Sequence, residues 1–172
     1  MDRLPDGGRV FMCPWTGFQD WDMVIKLGTA VFLGALIGLE RGAHGKEAGF
    51  RTYALVSLGS ALMMLVSVNI FETYRGLSNV DPGRIAGQVV TGIGFLGAGA
   101  IIRSQERVRG LTTAAGIWVV CGIGLACGLG AYQEAILGTA FALIILAFFS
   151  SVEHKLLRSK DRKPRGVSHL RQ

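Results

Sequence analysis

The side chains able to do chemistry in this 172-residue chain gather in three short stretches. The first is Asp81-Pro82-x-Arg84-x-x-x-Gln88, which sets a carboxylate, a guanidinium and an amide at i, i+3 and i+7 on one face of a helix. Asp before Pro is a helix-start signal, with Asp81 as the capping residue and Pro82 at the first helical position. Thr91 continues the polar stripe, and Arg84 is expected to neutralise Asp81. Two readings stand for this cluster: a helix start with packing polar groups, or a site that meets a cation at Asp81 and Gln88.

The second stretch is Glu40-Arg41 followed by Lys46, Gly49 and Arg51-Thr52. It reads either as a solvated loop or as something more specific. Glu40, placed among Arg41, Lys46 and Arg51, can anchor a salt-bridge network, and it can also contribute to a divalent-ion site. The bases alone can meet phosphate or an anionic headgroup. The third stretch runs from Arg103 to Thr113, with Thr112 and Thr113 placed to cap the helix that follows.

None of the three supplies a reaction. No nucleophile–base pair or metal-ligating helix spacing occurs, and His44, His154 and His169 share no ligand pattern. Cys13, Cys121 and Cys127 are odd in number and lack CxxC spacing, so neither a disulfide framework nor a zinc site is expected. Gly92-Ile93-Gly94-Phe95-Leu96-Gly97 is a literal GxGxxG, but it lies in an uncharged apolar run rather than between a strand and a helix, so the dinucleotide reading fails. The expectation is a protein that is not an enzyme, needs no cofactor beyond a magnesium ion as the one candidate, and binds no nucleic acid.

The elements that must position these groups follow from composition. Half of the residues are apolar, only 17% are charged, and 25 are glycine. A soluble domain averages about 25% charged residues and roughly 7% Gly. A spanning helix takes about 20 mostly apolar residues. Five segments approach that length: 23–39, 54–71, 85–102, 111–129 and 135–152. Only Lys26 breaks their lack of charge, and it sits where a lysine can reach the headgroups. Trp21, Tyr53, Tyr74 and Tyr132 fall at span ends, as interfacial aromatics do.

Thirteen of the 18 basic residues lie in stretches 40–52, 103–110 and 153–172, on one side of such a bundle. The positive-inside rule then puts the N-terminus out and the C-terminus in. The fold class is an all-α integral membrane bundle of about five transmembrane helices. Residues 1–22 read as a flexible segment without a signal-peptide core, 23–152 as the membrane domain and 153–172 as a basic cytosolic tail, helical at first and ending near Pro164.

Small residues recur every four positions: Ala30, Gly34 and Gly38; Gly83, Gly87 and Thr91, then Gly94 and Ala98; Gly122, Ala126 and Gly130, with Gly124 and Gly128 beside them. Such rows let helices approach closely in lipid. Gly34, Gly38, Gly92, Gly94, Gly97 and Gly99 are the expected packing glycines, with one row left over for a homo-oligomer, a dimer. For Gly92–Gly99 the alternative is a helix that unwinds and offers carbonyls to a cation. Ser57, Ser60 and Ser67 share a face and are expected to bond across helices. Glu134 suits a helix N-terminus, and Trp118, at mid-span, is expected to need an internal partner for its N–H.

Taken together, Gly34-x-x-x-Gly38-x-Glu40-Arg41, Lys46-x-x-Gly49-x-Arg51-Thr52, Asp81-Pro82-x-Arg84-x-x-x-Gln88, Gly92–Ile102 and Val108-x-Gly110-Leu111-Thr112-Thr113-Ala114-Ala115-x-x-Trp118 resemble the MgtC/SapB membrane proteins. The resemblance covers roughly residues 23–152. It implies a bacterial inner-membrane protein associated with growth in low magnesium and survival in host cells. Such proteins were once taken for magnesium transporters. The founding member is viewed as a modulator of other membrane proteins, notably the F-type ATP synthase. Longer members carry a cytosolic C-terminal domain, and this chain resembles the short SapB-like ones. The expectation is an accessory protein in the bilayer, with a magnesium transporter or channel as the alternative.

Overall fold

The computed structural model describes the backbone of residues 17–74, 81–104 and 107–160, and the side chains of 21–74, 81–101 and 108–148. Five helices occur in it: α1 (Gly17–Ala43), α2 (Phe50–Tyr74), α3 (Gly83–Gly99), α4 (Leu111–Leu129) and α5 (Tyr132–Lys160). Three contain stretches long and apolar enough to cross a membrane, namely Trp21–Ala43, Phe50–Tyr74 and Leu111–Leu129. The described part of α5 adds a shorter apolar stretch, Tyr132–Phe148. With 17 residues, α3 rises about 25 Å, slightly less than a hydrocarbon core of about 30 Å.

The centre of the bundle is α1, α2 and α4 packed on one another, with α3 laid against α4 and α2, and α5 against α4 and α1. Its core is Ala30, Leu33 and Ile37 from α1, Tyr53 and Ala61 from α2, and Ile117, Val120, Ile123 and Cys127 from α4. The helices close to backbone contact. A Cβ on Gly34 would lie 2.7 Å from Ser57 Cβ, one on Gly38 2.7 Å from Phe50 Cα, and one on Gly128 2.5 Å from the Ala61 carbonyl oxygen. Apolar side chains gain nothing by leaving lipid for protein, so close backbone approach supplies the dispersion that holds such helices together.

The row of α4 that makes this contact is Gly116, Gly124 and Gly128, each within clash distance of α2. The expected row of Gly122, Ala126 and Gly130 does not: Gly122 faces open space, and Gly130 lies beside the Lys26 side chain. Lys26 itself pairs with Asp22 at 2.7 Å, one turn earlier on α1. Gly130 instead ends α4 in the left-handed conformation, φ 88°, which lets its N–H reach the Cys127 carbonyl and that of Ala131 reach Ala126.

The third span was expected to run to Ile102, but α3 stops at Gly99. Ile102–Ser104 and Arg107–Arg109 form a two-stranded antiparallel hairpin, β1 and β2, in which Ile102 faces Arg109 across the ladder. The apolar run could not show this, since Ile101 and Ile102 suit a strand as well as a helix. Gly110 then turns the chain into α4 at φ 89°, so close to Ala100 that a Cβ would collide with its carbonyl group.

α4 keeps its expected bounds, 111–129, whereas α1, α2 and α5 extend beyond theirs at both ends. α1 begins at Gly17, inside the segment read as flexible, and α5 runs through the expected start of the tail to Lys160. Expectations for residues 1–16 and 161–172, Cys13 and Pro164 among them, lie outside the described residues.

Candidate functional site

The three polar stretches resolve into two sites at opposite ends of α2. At the end where α1 turns into α2, Arg41 stands in the last turn of α1 and is only 2% exposed. Its guanidinium grips Glu40 through both Nε and Nη2, the latter at 2.7 Å, and Nη2 also donates to the Leu146 carbonyl of α5 at 3.5 Å. A buried guanidinium is tolerable only with such a partner. His44 folds back on the same residue, 3.1 Å from the Glu40 carboxylate and 2.9 Å from its carbonyl oxygen. Both oxygens of Glu40 are therefore taken by Arg41, which makes it the acid of a salt-bridge network.

The remaining residues of that stretch lie outside the network. Lys46 and Arg51 are exposed, and Lys46 contributes its backbone N–H to the Arg41 carbonyl at 3.1 Å. Neither Thr112 nor Thr113 caps α4, because Gly110 occupies the cap position without any side-chain bond. Thr112 is exposed, whereas Thr113 is buried and offers its carbonyl oxygen to the hydroxyl of Tyr53 at 3.2 Å. Tyr53 is thus not an interfacial anchor but a fully buried strut between α2 and α4.

The buried face of α2, namely Tyr53, Ser57, Ser60, Ala61, Met64 and Ser67, has helical spacing, so the signal was present in the sequence. Its serines differ in what they do. Ser60 returns its hydroxyl to Val56 on its own helix at 2.9 Å, and Ser67 donates across to the Pro82 carbonyl at 2.5 Å. The buried Ser57 hydroxyl has no hydrogen-bond partner among the described residues.

At the other end, Ser67 and Ile70 of α2 face Asp81, Arg84, Ile85 and Gln88 across a cleft of about 330 Å³. The expected helix start is displaced by one residue: Pro82 holds the cap position, and Asp81 takes the Gly83 N–H on its Oδ1 at 2.8 Å. The expected Asp81–Arg84 ion pair is absent among the described residues, where the Arg84 and Gln88 side chains make no polar contact, although the Arg84 N–H donates to the Asp81 carbonyl oxygen at 3.3 Å. Nor do any three His, Cys, Asp or Glu side chains cluster there to hold a metal ion.

No residue of α3 is buried. Gly97 lies 3.8 Å, by its missing Cβ, from Ala114 of α4, but Gly92, Gly94 and Gly99 meet nothing. Phe95 is 84% exposed on the same helix. Trp118 also points outward at 57% exposure, away from the internal partner expected for its N–H, because α4 buries the face carrying Ile117, Val120 and Gly124.

The family model described as "MgtC family" matches residues 27–155, which includes both sites. The chain is 44% identical over 138 residues to YhiD of Escherichia coli K12, named as a candidate magnesium transporter, covering 79% of this chain and 64% of that one. It is 39% identical over 152 residues to Protein SapB of Bacillus subtilis 168, covering 84% and 65%. To Protein MgtC of Salmonella typhimurium 14028s it is 48% identical over 120 residues, covering 70% and 49%. The chain therefore spans between half and two thirds of the length of these curated relatives. No solved structure matches it.

Proposed function

This chain belongs to the MgtC family, and from that premise we propose that it is an accessory protein of the bacterial inner membrane that acts on other membrane proteins, such as the F-type ATP synthase, in adaptation to low magnesium or host stress. In this reading its N-terminus is outside, its C-terminus is inside, and two copies associate. The observation that carries it is the contrast between a closed centre and an open flank. Where α1, α2 and α4 meet, backbone touches backbone at Gly34, Gly38, Gly124 and Gly128, and the atoms nearest to these positions belong to uncharged residues. On the flank, α3 presents Gly92, Gly94, Gly99 and Phe95 to whatever lies beside the bundle.

A magnesium transporter or channel is the second reading. It is favoured by the name of the YhiD relative and by the Asp81–Arg84–Gln88 cleft. Magnesium flux into proteoliposomes that hold the purified protein and a trapped magnesium dye separates the two. The accessory reading expects no flux above empty liposomes from folded, inserted protein. Saturable uptake that disappears in Asp81→Asn would overturn it.

A further inference from the structure

Among the described residues Arg84 is an unpaired guanidinium at the edge of an apolar bundle, three residues from a carboxylate with which it does not pair. Asp81 spends Oδ1 on the Gly83 N–H, and its other oxygen has no hydrogen bond among the described residues. Gln88, one turn beyond Arg84, is likewise free and exposed. All three line one cleft of about 330 Å³, whose further walls are Ile85 on α3 and Ile70 on α2. Ser67 closes its floor by fixing Pro82, at 2.5 Å, to α2. That bond ties the start of α3 to the neighbouring helix, so the cleft is a built feature of two helices and not a property of one helix end.

A ligand of a single charge sign does not suit this set. A phosphate meeting Arg84 is repelled by Asp81, and a free cation meeting Asp81 is repelled by Arg84. A zwitterion satisfies both, since a phosphodiester oxygen takes the guanidinium fork and a primary ammonium gives its protons to the carboxylate. The Gln88 amide can donate to the same phosphate. The two isoleucines then line the path of an acyl or glycerol chain.

Depth agrees with this chemistry. Ser67 lies seven residues before the end of α2 at Tyr74, about 10 Å along the axis, and Arg84 is in the first turn of α3. The cleft thus sits within headgroup reach of a membrane end, and its volume is at the small end of ligand pockets, roughly 300–1,000 Å³.

We propose that the cleft between α2 and α3 binds a phosphoethanolamine group, with Arg84 and Gln88 on the phosphate and Asp81 on the primary ammonium. The same chemistry occurs in phosphatidylethanolamine and in soluble glycerophosphoethanolamine. The assignment holds whether the protein is an accessory or a transporter.

Native mass spectrometry of the delipidated full-length chain, titrated with dioleoyl phosphatidylethanolamine, phosphatidylglycerol or phosphatidylcholine, tests it. Phosphatidylethanolamine binds about tenfold more tightly than either other lipid, one charge-assisted contact being worth about that factor. Arg84→Gln weakens phosphatidylethanolamine and phosphatidylglycerol alike. Asp81→Asn, which keeps the cap on Gly83, weakens only phosphatidylethanolamine and erases the preference. Arg109→Gln, the same charge loss at the opposite end, changes neither.

Competition by glycerophosphoethanolamine at equal concentration identifies the headgroup alone as ligand, and its failure to compete identifies the intact lipid. Circular dichroism checks folding, and where Arg84→Gln does not fold, Gln88→Leu replaces it with a severalfold loss expected. Equal binding of phosphatidylethanolamine and phosphatidylglycerol by the parent, or unchanged preference in Asp81→Asn, overturns the assignment.

Discussion

The Tyr53 hydroxyl donates to the Thr113 carbonyl oxygen at 3.2 Å, and it does so directly against Gly116, where an added Cβ would stand 2.5 Å from that hydroxyl. One residue of α2 therefore fixes the spacing of α2 and α4 by both a bond and a close contact. Tyr53→Phe should cost about 1 kcal/mol, the net value of one such bond. Gly116→Ala should cost more in the parent than in Tyr53→Phe, where the clashing oxygen is gone, although the ring carbons at 3.1 and 3.2 Å keep the second cost above zero. Thermal unfolding of the four proteins of this cycle in one detergent measures the difference. Equal costs would separate the bond from the contact.

Arg41 and Glu40 predict an asymmetry. Glu40→Gln leaves the buried guanidinium with little beyond the Leu146 carbonyl, and the expected loss is about 3 kcal/mol. The double variant Glu40→Gln with Arg41→Met removes both charges and should recover part of that loss. His44→Ala should cost under about 1 kcal/mol, since the imidazole is half exposed. Unfolding midpoints of the three variants decide it, and a double variant worse than Glu40→Gln alone would contradict the pair being a mutual neutralisation.

The buried serines of α2 give opposite expectations from the same substitution. Ser57 buries a hydroxyl without a partner, so Ser57→Ala should leave stability unchanged or raise it by about 1 kcal/mol. Ser67→Ala removes the bond to Pro82 and should cost about 1 kcal/mol while loosening the start of α3. Hydrogen exchange at Gly83 and Arg84 follows the second effect; protection unchanged in Ser67→Ala would show that this bond does not hold α3.

Family and helix number were legible in the sequence, and a salt-bridge network at Glu40 was one of its open readings, because charge is scarce in this chain and its few positions stand out. Which face of each helix turns inward was not. In water an apolar stripe marks the buried side, but lipid accepts apolar residues on every side, and the period disappears. Trp118 shows the result: it reads as an interior residue at mid-span, and it faces outward. Glycine spacing has the same ambiguity on α4, where Gly122–Gly130 and Gly116–Gly128 keep the same four-residue interval and only the second row meets α2. The hairpin after α3 was hidden for another reason. Its strands are three residues each, too short for any alternation to appear.

Glycines of equal standing in the sequence should therefore fail in different ways. Gly38→Leu drives a side chain into Phe50, whose Cα already stands 2.7 Å from where a Cβ would be, and Gly124→Leu does the same against Ser57 and Ser60. Neither contact can yield without separating α1 or α4 from α2, since the opposing atoms include backbone. Both variants should unfold at markedly lower temperature or fail to accumulate. A Cβ at Gly94 meets nothing within 4 Å, and on a helix leucine is favoured over glycine by about 1 kcal/mol. The bundle should fold as well as the parent. If the α3 flank is where a second copy or another membrane protein docks, this variant loses association and low-magnesium growth while keeping its melting temperature. Crosslinking in membranes, run beside the melt, reads both quantities on one sample. A Gly94→Leu protein that melts normally and still associates and supports growth would remove α3 as the docking face.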